Sequence, residues 1–369
     1  MSSDKENRAV VVAMSGGVDS SVAAALLLEQ GYDVIGITMK TYNFDEVGGN
    51  LGNETSCCGL DAFNDARLVA VKLGIPHYVV DFTTPFGREV IDNFVEEYLQ
   101  GRTPNPCIIC NKKIKWGELL KKADALGAAF IATGHYARVW FDQRSGRYNI
   151  FRPVHKNKDQ TYALWGLSQY ALSRTLFPVG EMSKPQVREI AVKHGLKTAT
   201  KEESYEICFV PDNDYRRFLG ERTPQLDNQI SEGDILRDGK VVGKHRGFPY
   251  YTIGQRSGIG AHGERVYVTG IDARNNTVMI GRYEDLLHTG LVAKDVNLIG
   301  LDSLNGGTRV QAQVRYKDTA SPATVFAEDE DRIRVTFDEP KRAITPGQSV
   351  VMYDGERLVG GGVIERIIE

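Results

Sequence analysis

The sequence predicts an α/β protein in which a doubly wound parallel sheet is followed by a small β-rich domain and a C-terminal β-barrel. Three observations predict it. Short apolar runs alternate with helix-length stretches from Ala9 to Thr133, the pattern of repeated strand–helix crossovers. Gly31 and Gly74 stand where two of those helices should end, as helix C-caps do. Beyond Asp214 the helical period fades, and glycine-punctuated strand-length segments take over from about Ile230, which reads as all-β structure.

Taken in order, the predicted strands are Ala9–Met14, Val34–Met39, His77–Phe82 and Ala129–Thr133. The helices between them are predicted over Ser20–Gln30, Asp61–Leu73, Phe86–Leu99 and Lys112–Leu126. Sheets of this kind bind ligands at the carboxyl ends of their strands. The glycine- and asparagine-rich stretch Asn43–Ser56 predicts a mobile loop beside that edge. Alternating segments at Arg309–Tyr316, Arg332–Phe337 and Ser349–Tyr353 predict the barrel. The expected domains are 1–214, 215–287 and 288–369. A G-x-G-x-x-G string at Gly258–Gly263 precedes the strand-like Arg265–Thr269 rather than a helix, so it reads as a loop and not as a dinucleotide site.

With 369 residues the chain exceeds one ordinary core. Its 41% hydrophobic and 25% charged content is that of a soluble globular protein. The polar start, Met1 to Arg8, and the absence of any long apolar run argue against a signal peptide or membrane span. Five cysteines are odd in number and too sparse for a disulfide scaffold, which points to a reducing cytoplasm. The net charge of −3 argues against general nucleic-acid affinity but leaves room for a local basic face. From Lys240 to Arg282 there are seven Lys/Arg against two Asp/Glu, interleaved with Tyr250, Tyr251 and Tyr267, a composition suited to an RNA surface.

The most informative stretch is Ala13-Met14-Ser15-Gly16-Gly17-Val18-Asp19-Ser20-Ser21, directly behind an apolar strand and ahead of a helix rich in alanine and leucine. Glycines in such a turn let backbone N–H groups approach an anion, and the helix N-terminus adds positive potential. Ser15, Ser20 and Ser21 add hydroxyls, and Asp19 is a candidate magnesium ligand. No lysine follows the glycines, so this is not a Walker A loop. The pattern resembles the S-G-G-x-D-S pyrophosphate loop (PP-loop) of ATP pyrophosphatases, which grips the β/γ-phosphates and leaves the α-phosphate open to attack.

Cys107 and Cys110 form a C-x-x-C in Thr103-Pro104-Asn105-Pro106-Cys107-Ile108-Ile109-Cys110-Asn111. The prolines favour extended backbone ahead of the cysteines, and the lysines and helix start near Lys112 would favour thiolate. A zinc site needs four ligands. There is no second C-x-x-C, and Cys57-Cys58 would complete such a site only if the fold brought them near. Cys208, between Ile207 and Phe209, reads on its own as a buried core residue.

Those motifs recur in a known order with Ala132-Thr133-Gly134-His135-Tyr136-Ala137-Arg138, Lys158-Asp159-Gln160-Thr161-Tyr162 and Ser204–Phe209, and then with Tyr251–Arg256 and Thr345-Pro346-Gly347-Gln348. Jointly, and essentially from end to end, the chain resembles bacterial tRNA-uridine 2-sulfurtransferases. The resemblance implies ATP-dependent 2-thiolation of the wobble uridine (position 34) of tRNA. ATP would be held by Ala13, Met14, Ser15, Gly16, Gly17, Val18, Asp19, Ser20, Met39 and Gly134. It implies Cys110 and Cys208 as the catalytic pair beside Asp19, with Cys208 carrying a persulfide and a transient disulfide closing between the two. Asn105, Pro106 and Cys107 would face the target base. His135, Lys158, Asp159, Gln160, Arg315, Tyr316 and Gln348 would contact the tRNA.

Many relatives carry aspartate where this chain has Cys107. The three thiols Cys107, Cys110 and Cys208 therefore also open an iron–sulfur route, in which a 4Fe–4S cluster keeps one open iron. The resemblance further implies a cysteine desulfurase or sulfur-carrier protein as donor, and no membrane partner. Another PP-loop enzyme, such as an amidotransferase synthetase, shares the loop but needs neither the C-x-x-C nor an RNA-binding barrel. A non-catalytic RNA-binding protein would not need Asp19, Cys110 and Cys208.

Overall fold

Val10, Val11 and Val12 are wholly buried in β1 (Ala9–Ala13), as expected of a central strand of a parallel sheet covered on both faces. The computed structural model describes residues 7–43, 60–201, 207–223, 232–304 and 306–368. β1 leads through a turn into α1 (Val18–Glu29), then β2 (Asp33–Lys40), α2 (Leu60–Leu73) and β3 (His77–Asp81). β4 (Phe130–Ala132) follows, and after the hairpin β5 (Arg138–Asp142) and β6 (Arg147–Phe151) comes β7 (Thr175–Leu176). The parallel sheet runs β3-β2-β1-β4-β7. Strand order reverses between β1 and β4, which makes their carboxyl ends the topological switch point. The predicted Asn43–Ser56 loop lies almost entirely outside the described residues, as do Cys57, Cys58 and Ser204.

By packing, the chain divides into two units: 1–90, 107–213 and 356–358 in one, and 91–106, 214–355 and 359–369 in the other. The first unit centres on Val10, Val12, Val22, Ala23 and Leu27, against Val187 and Ala191 of the helix Lys184–Lys193. In the second unit β8 (Gly233–Arg237), β9 (Lys240–His245), β10 (Tyr267–Asp272) and β11 (Thr277–Gly281) form a sheet in the order β10-β11-β8-β9. The Gly258–Gly263 string is irregular chain ahead of β10, as predicted. Six strands follow: β12 (Leu287–Leu298), β13 (Thr308–Gln313), β14 (Ser321–Ala327), β15 (Ile333–Arg342), β16 (Ser349–Asp354) and β17 (Arg357–Ile368). β12 pairs with both β15 and β17, so the barrel closes on itself and leaves no free edge.

The sequence reading misplaces the start of one helix and does not predict the helices Lys184–Lys193 and Tyr215–Arg222. Helical structure begins at Pro106, not near Lys112: it is α-helical over Pro106–Ile109, opens to π-type over Cys110–Glu118, and returns to α over Leu119–Ala125. Pro106 cannot donate a backbone hydrogen bond and is pre-set for a first helical turn. The extended backbone predicted by the prolines therefore stops one residue before Cys107. Cys107 and Cys110 stand three residues apart on a helix, which places them on one face.

Candidate active site

The turn after β1 is shaped by close approaches. Gly16 has φ of +68°, and a Cβ there would lie 2.2 Å from the Ala62 carbonyl oxygen. Gly17 caps α1 without a side chain, leaving the first N–H groups of the helix facing outward. Ser20 Oγ accepts from Ser15 N–H (3.2 Å), and Ser21 Oγ donates to the Gly17 carbonyl (2.8 Å). Behind the turn, Thr38 Oγ1 on β2 donates to the Met14 carbonyl (2.8 Å) and lies 2.8 Å from His77 Nε2. The single hydroxyl proton of Thr38 is spent on Met14, so His77 donates through Nε2. Burial, then the Arg67 charge, holds the His77 pKa below its usual value. Thr38 and His77 escaped the sequence reading because neither belongs to a local motif; β2–β3 register brings them in. Met39, next along β2, is half-buried opposite Val80.

The segment after β4 meets this turn from the other side of the switch point. A Cβ on Gly134 would lie 2.6 Å from the Asp19 carbonyl carbon and the Ser20 nitrogen, so only glycine allows this approach. Tyr136 OH donates to Asp19 Oδ1 (2.8 Å), and Lys184 Nζ lies 2.7 and 2.8 Å from the two carboxylate oxygens of Asp19. In this structure an ammonium thus spans both oxygens of Asp19, the candidate magnesium ligand. The Gln160 side chain accepts from Tyr136 N–H (2.8 Å) and pins this segment. Asp159 receives Arg152 and the N–H and hydroxyl of Thr161. Lys158 ends a short 3-10 turn and is half-buried. His135 packs against Trp116 and Phe177, with Nδ1 2.6 Å from Thr133 Oγ1. Desolvation, then Lys115, holds its pKa well below the usual value, so it is neutral at physiological pH.

Cys208 is half-buried rather than a core residue. It sits in a turn closed by Val210 N–H to the Ile207 carbonyl (2.9 Å). Its own carbonyl accepts from Tyr42 OH (2.7 Å), while buried Phe209 packs edge-on against Phe86. Tyr42 lies two residues past β2, at the carboxyl edge of the sheet. Cys107 is exposed and Cys110 half-buried, and none of these three cysteines is in a disulfide. Among the described residues no three His, Cys, Asp or Glu side chains converge as a metal site.

In the second unit, Gln348 Nε2 donates to the carbonyls of Pro104 (2.9 Å) and Thr103 (3.3 Å), just ahead of Asn105 and Pro106. Thr103 N–H donates to the Pro346 carbonyl (2.9 Å). Arg315 donates to the Ile253 carbonyl and to Thr345 Oγ1, while the neighbouring Tyr316 is exposed. Arg342 lies over the rings of Tyr267 (5.4 Å) and Tyr283 (5.2 Å), and Arg256 over Tyr267 (5.8 Å). Arg256, Arg282, Tyr283 and Arg342 are exposed, which makes a stacked cationic–aromatic surface.

Three family models match in succession. They are the tRNA methyl transferase HUP domain over residues 8–212, the tRNA methyl transferase PRC-barrel domain over 216–282, and the aminomethyltransferase β-barrel domain over 288–364. The tRNA-specific 2-thiouridylase of Salinibacter ruber is 52% identical over 97% of this chain and 94% of its own length. The chain belongs to the tRNA-specific 2-thiouridylase family. The 2-thiouridylases of Carboxydothermus hydrogenoformans (53% identity, 97% of each chain) and Clostridioides difficile (50%, 98% of this chain and 99% of the relative) span it equally fully. For a 2-thiouridylase, the parallel-sheet domain followed by a PRC-barrel and a closed β-barrel is the predicted architecture. No helix among the described residues is long and apolar enough to cross a membrane.

Proposed function

We propose that this protein thiolates C2 of the wobble uridine of tRNA at the expense of ATP. Uracil O2 attacks the α-phosphate, forming an O-adenylated base and releasing pyrophosphate. The terminal sulfur of a Cys208 persulfide then attacks C2, and AMP departs with the former O2. The Cys110 thiolate attacks Cys208 Sγ, so the S–S bond to the base breaks as the Cys110–Cys208 disulfide forms and 2-thiouridine leaves. A thiol reductant supplies two electrons to reopen the disulfide, and a persulfide donor such as a cysteine desulfurase or sulfur carrier reloads Cys208.

The observation that carries this reading is the Cys208 turn, tied by Tyr42 to the carboxyl edge where the pyrophosphate-type loop also lies. The helical run from Cys107 leads into β4, so its first turns point toward the same edge. On the RNA side, Asn105, Pro106 and Cys107 would receive a base flipped out of its stack, as base-modifying enzymes require. The Arg256–Tyr267–Arg342–Tyr283 surface and Tyr316 would take up backbone and unstacked bases. Gln348, Arg315, Asp159 and Gln160 have side chains spent on protein partners, so they would act by shaping contacts for tRNA more than by making them.

Cysteine replacement tests the chemistry. Cys110→Ser and Cys208→Ser should each nearly abolish thiolation, with the double variant little worse, because residues acting as a unit give non-additive losses. ATP-dependent pyrophosphate release on tRNA should survive in both, since adenylation needs no sulfur. Full thiolation by either single variant would remove the paired role.

A further inference from the structure

The loop between β1 and α1 has no lysine or arginine of its own, yet a triphosphate needs cationic partners there. The fold delivers one from far along the chain. Lys184 is the first residue of the helix Lys184–Lys193, placed by a Ser183–Gln186 capping box with Pro185 behind it. Its side chain is 12% exposed, and its ammonium spans both oxygens of Asp19 while lying 6.0 Å from the Tyr136 ring centroid. Asp19 is itself the second residue of α1, inside the candidate loop. A bare carboxylate at that point would repel phosphate, and Lys184 neutralises it.

We infer that Lys184 is a phosphate-binding residue of the nucleotide site, held against Asp19 in this structure and shared with the β/γ-phosphates when ATP binds. This rests on reading the loop as a pyrophosphate site. Sequence inspection passes Lys184 by because it stands 165 positions from Asp19 in an ordinary helix start. Its partners include the Asp19 carboxylate and the ring of Tyr136, whose hydroxyl also donates to Asp19. The ammonium can therefore serve a second anion only by turning one of its three N–H groups outward.

The test compares equilibrium affinities for ATP and AMP by calorimetry on the full chain. Wild type should prefer ATP, and Lys184→Met should lose about ten- to a hundredfold of ATP affinity, the range for charged hydrogen bonds. AMP affinity should hold within about threefold, because AMP lacks the phosphates in question. Lys184→Arg should restore most of the preference. The capping box is intact in Lys184→Met, and an unchanged melting temperature verifies the fold. A wild type with no preference for ATP over AMP would overturn the pyrophosphate-loop reading itself. A preference that survives Lys184→Met would overturn the role of Lys184 alone.

Discussion

At the scale of single residues, burial separates two kinds of histidine chemistry that the sequence could not distinguish. His77 supports the carbonyl of Met14 through Thr38, and His135 stands in an aromatic box; both are held neutral by desolvation. A histidine whose folded pKa is depressed takes up a proton more readily when unfolded. Its contribution is therefore fully present above the unfolded pKa, and stability falls as pH drops below about 6.5. Between about pH 7.5 and 5.5, His135 should therefore lower folding stability as the pH falls. Urea titrations of wild type and His135→Gln should show a shallower acid slope in the variant. Parallel slopes would mean that the imidazole is not desolvated. The serine–glycine loop and the cysteines were legible because their chemistry is local in sequence. Thr38, His77, Tyr136 and Lys184 were not, because only strand register and helix packing bring them to the loop.

At the scale of elements, two glycines show where each unit is pinned. Gly134 lets the chain after β4 lie against the Asp19–Ser20 backbone. Gly347, with φ of +89°, lets the loop before β16 lie against Thr103, where a Cβ would come within 2.8 Å of the Thr103 carbonyl oxygen and 2.7 Å of Glu97 Oε2. Left-handed backbone costs alanine roughly 1–2 kcal/mol before any clash. Gly134→Ala should chiefly weaken ATP binding. Gly347→Ala should leave ATP affinity within about twofold while lowering thiolation at least about tenfold, or 1.4 kcal/mol in barrier, by displacing the chain ahead of Asn105. Equal losses of ATP affinity in the two variants would contradict that division. The first four strands of the parallel sheet were legible in order and nearly in length, whereas β5, β6 and β7 were not. The helix carrying Cys107 and Cys110 was not, since two prolines read as extended chain while the second of them starts the helix.

At the scale of the whole molecule, an ATP-type sheet domain is joined to a PRC-barrel and a closed β-barrel that carry RNA-suited charge and tyrosines. Alternating strand–helix texture ahead of Asp214 and glycine-punctuated strands from about Ile230 made that architecture legible in the sequence, whereas the helix Tyr215–Arg222 between them was not. The closure of the barrel by β12 and β17 was not, because pairing across sixty and more residues leaves no local trace. The central claim is sulfur transfer through an adenylated base. It is tested most directly by loading Cys208 with labelled persulfide sulfur and adding ATP and unmodified tRNA in a single turnover. The account predicts the label in 2-thiouridine at the wobble position, with one pyrophosphate and one AMP formed for each sulfur moved. Label retained on the protein while pyrophosphate is released, or a methylated uridine in place of a thiolated one, would contradict it.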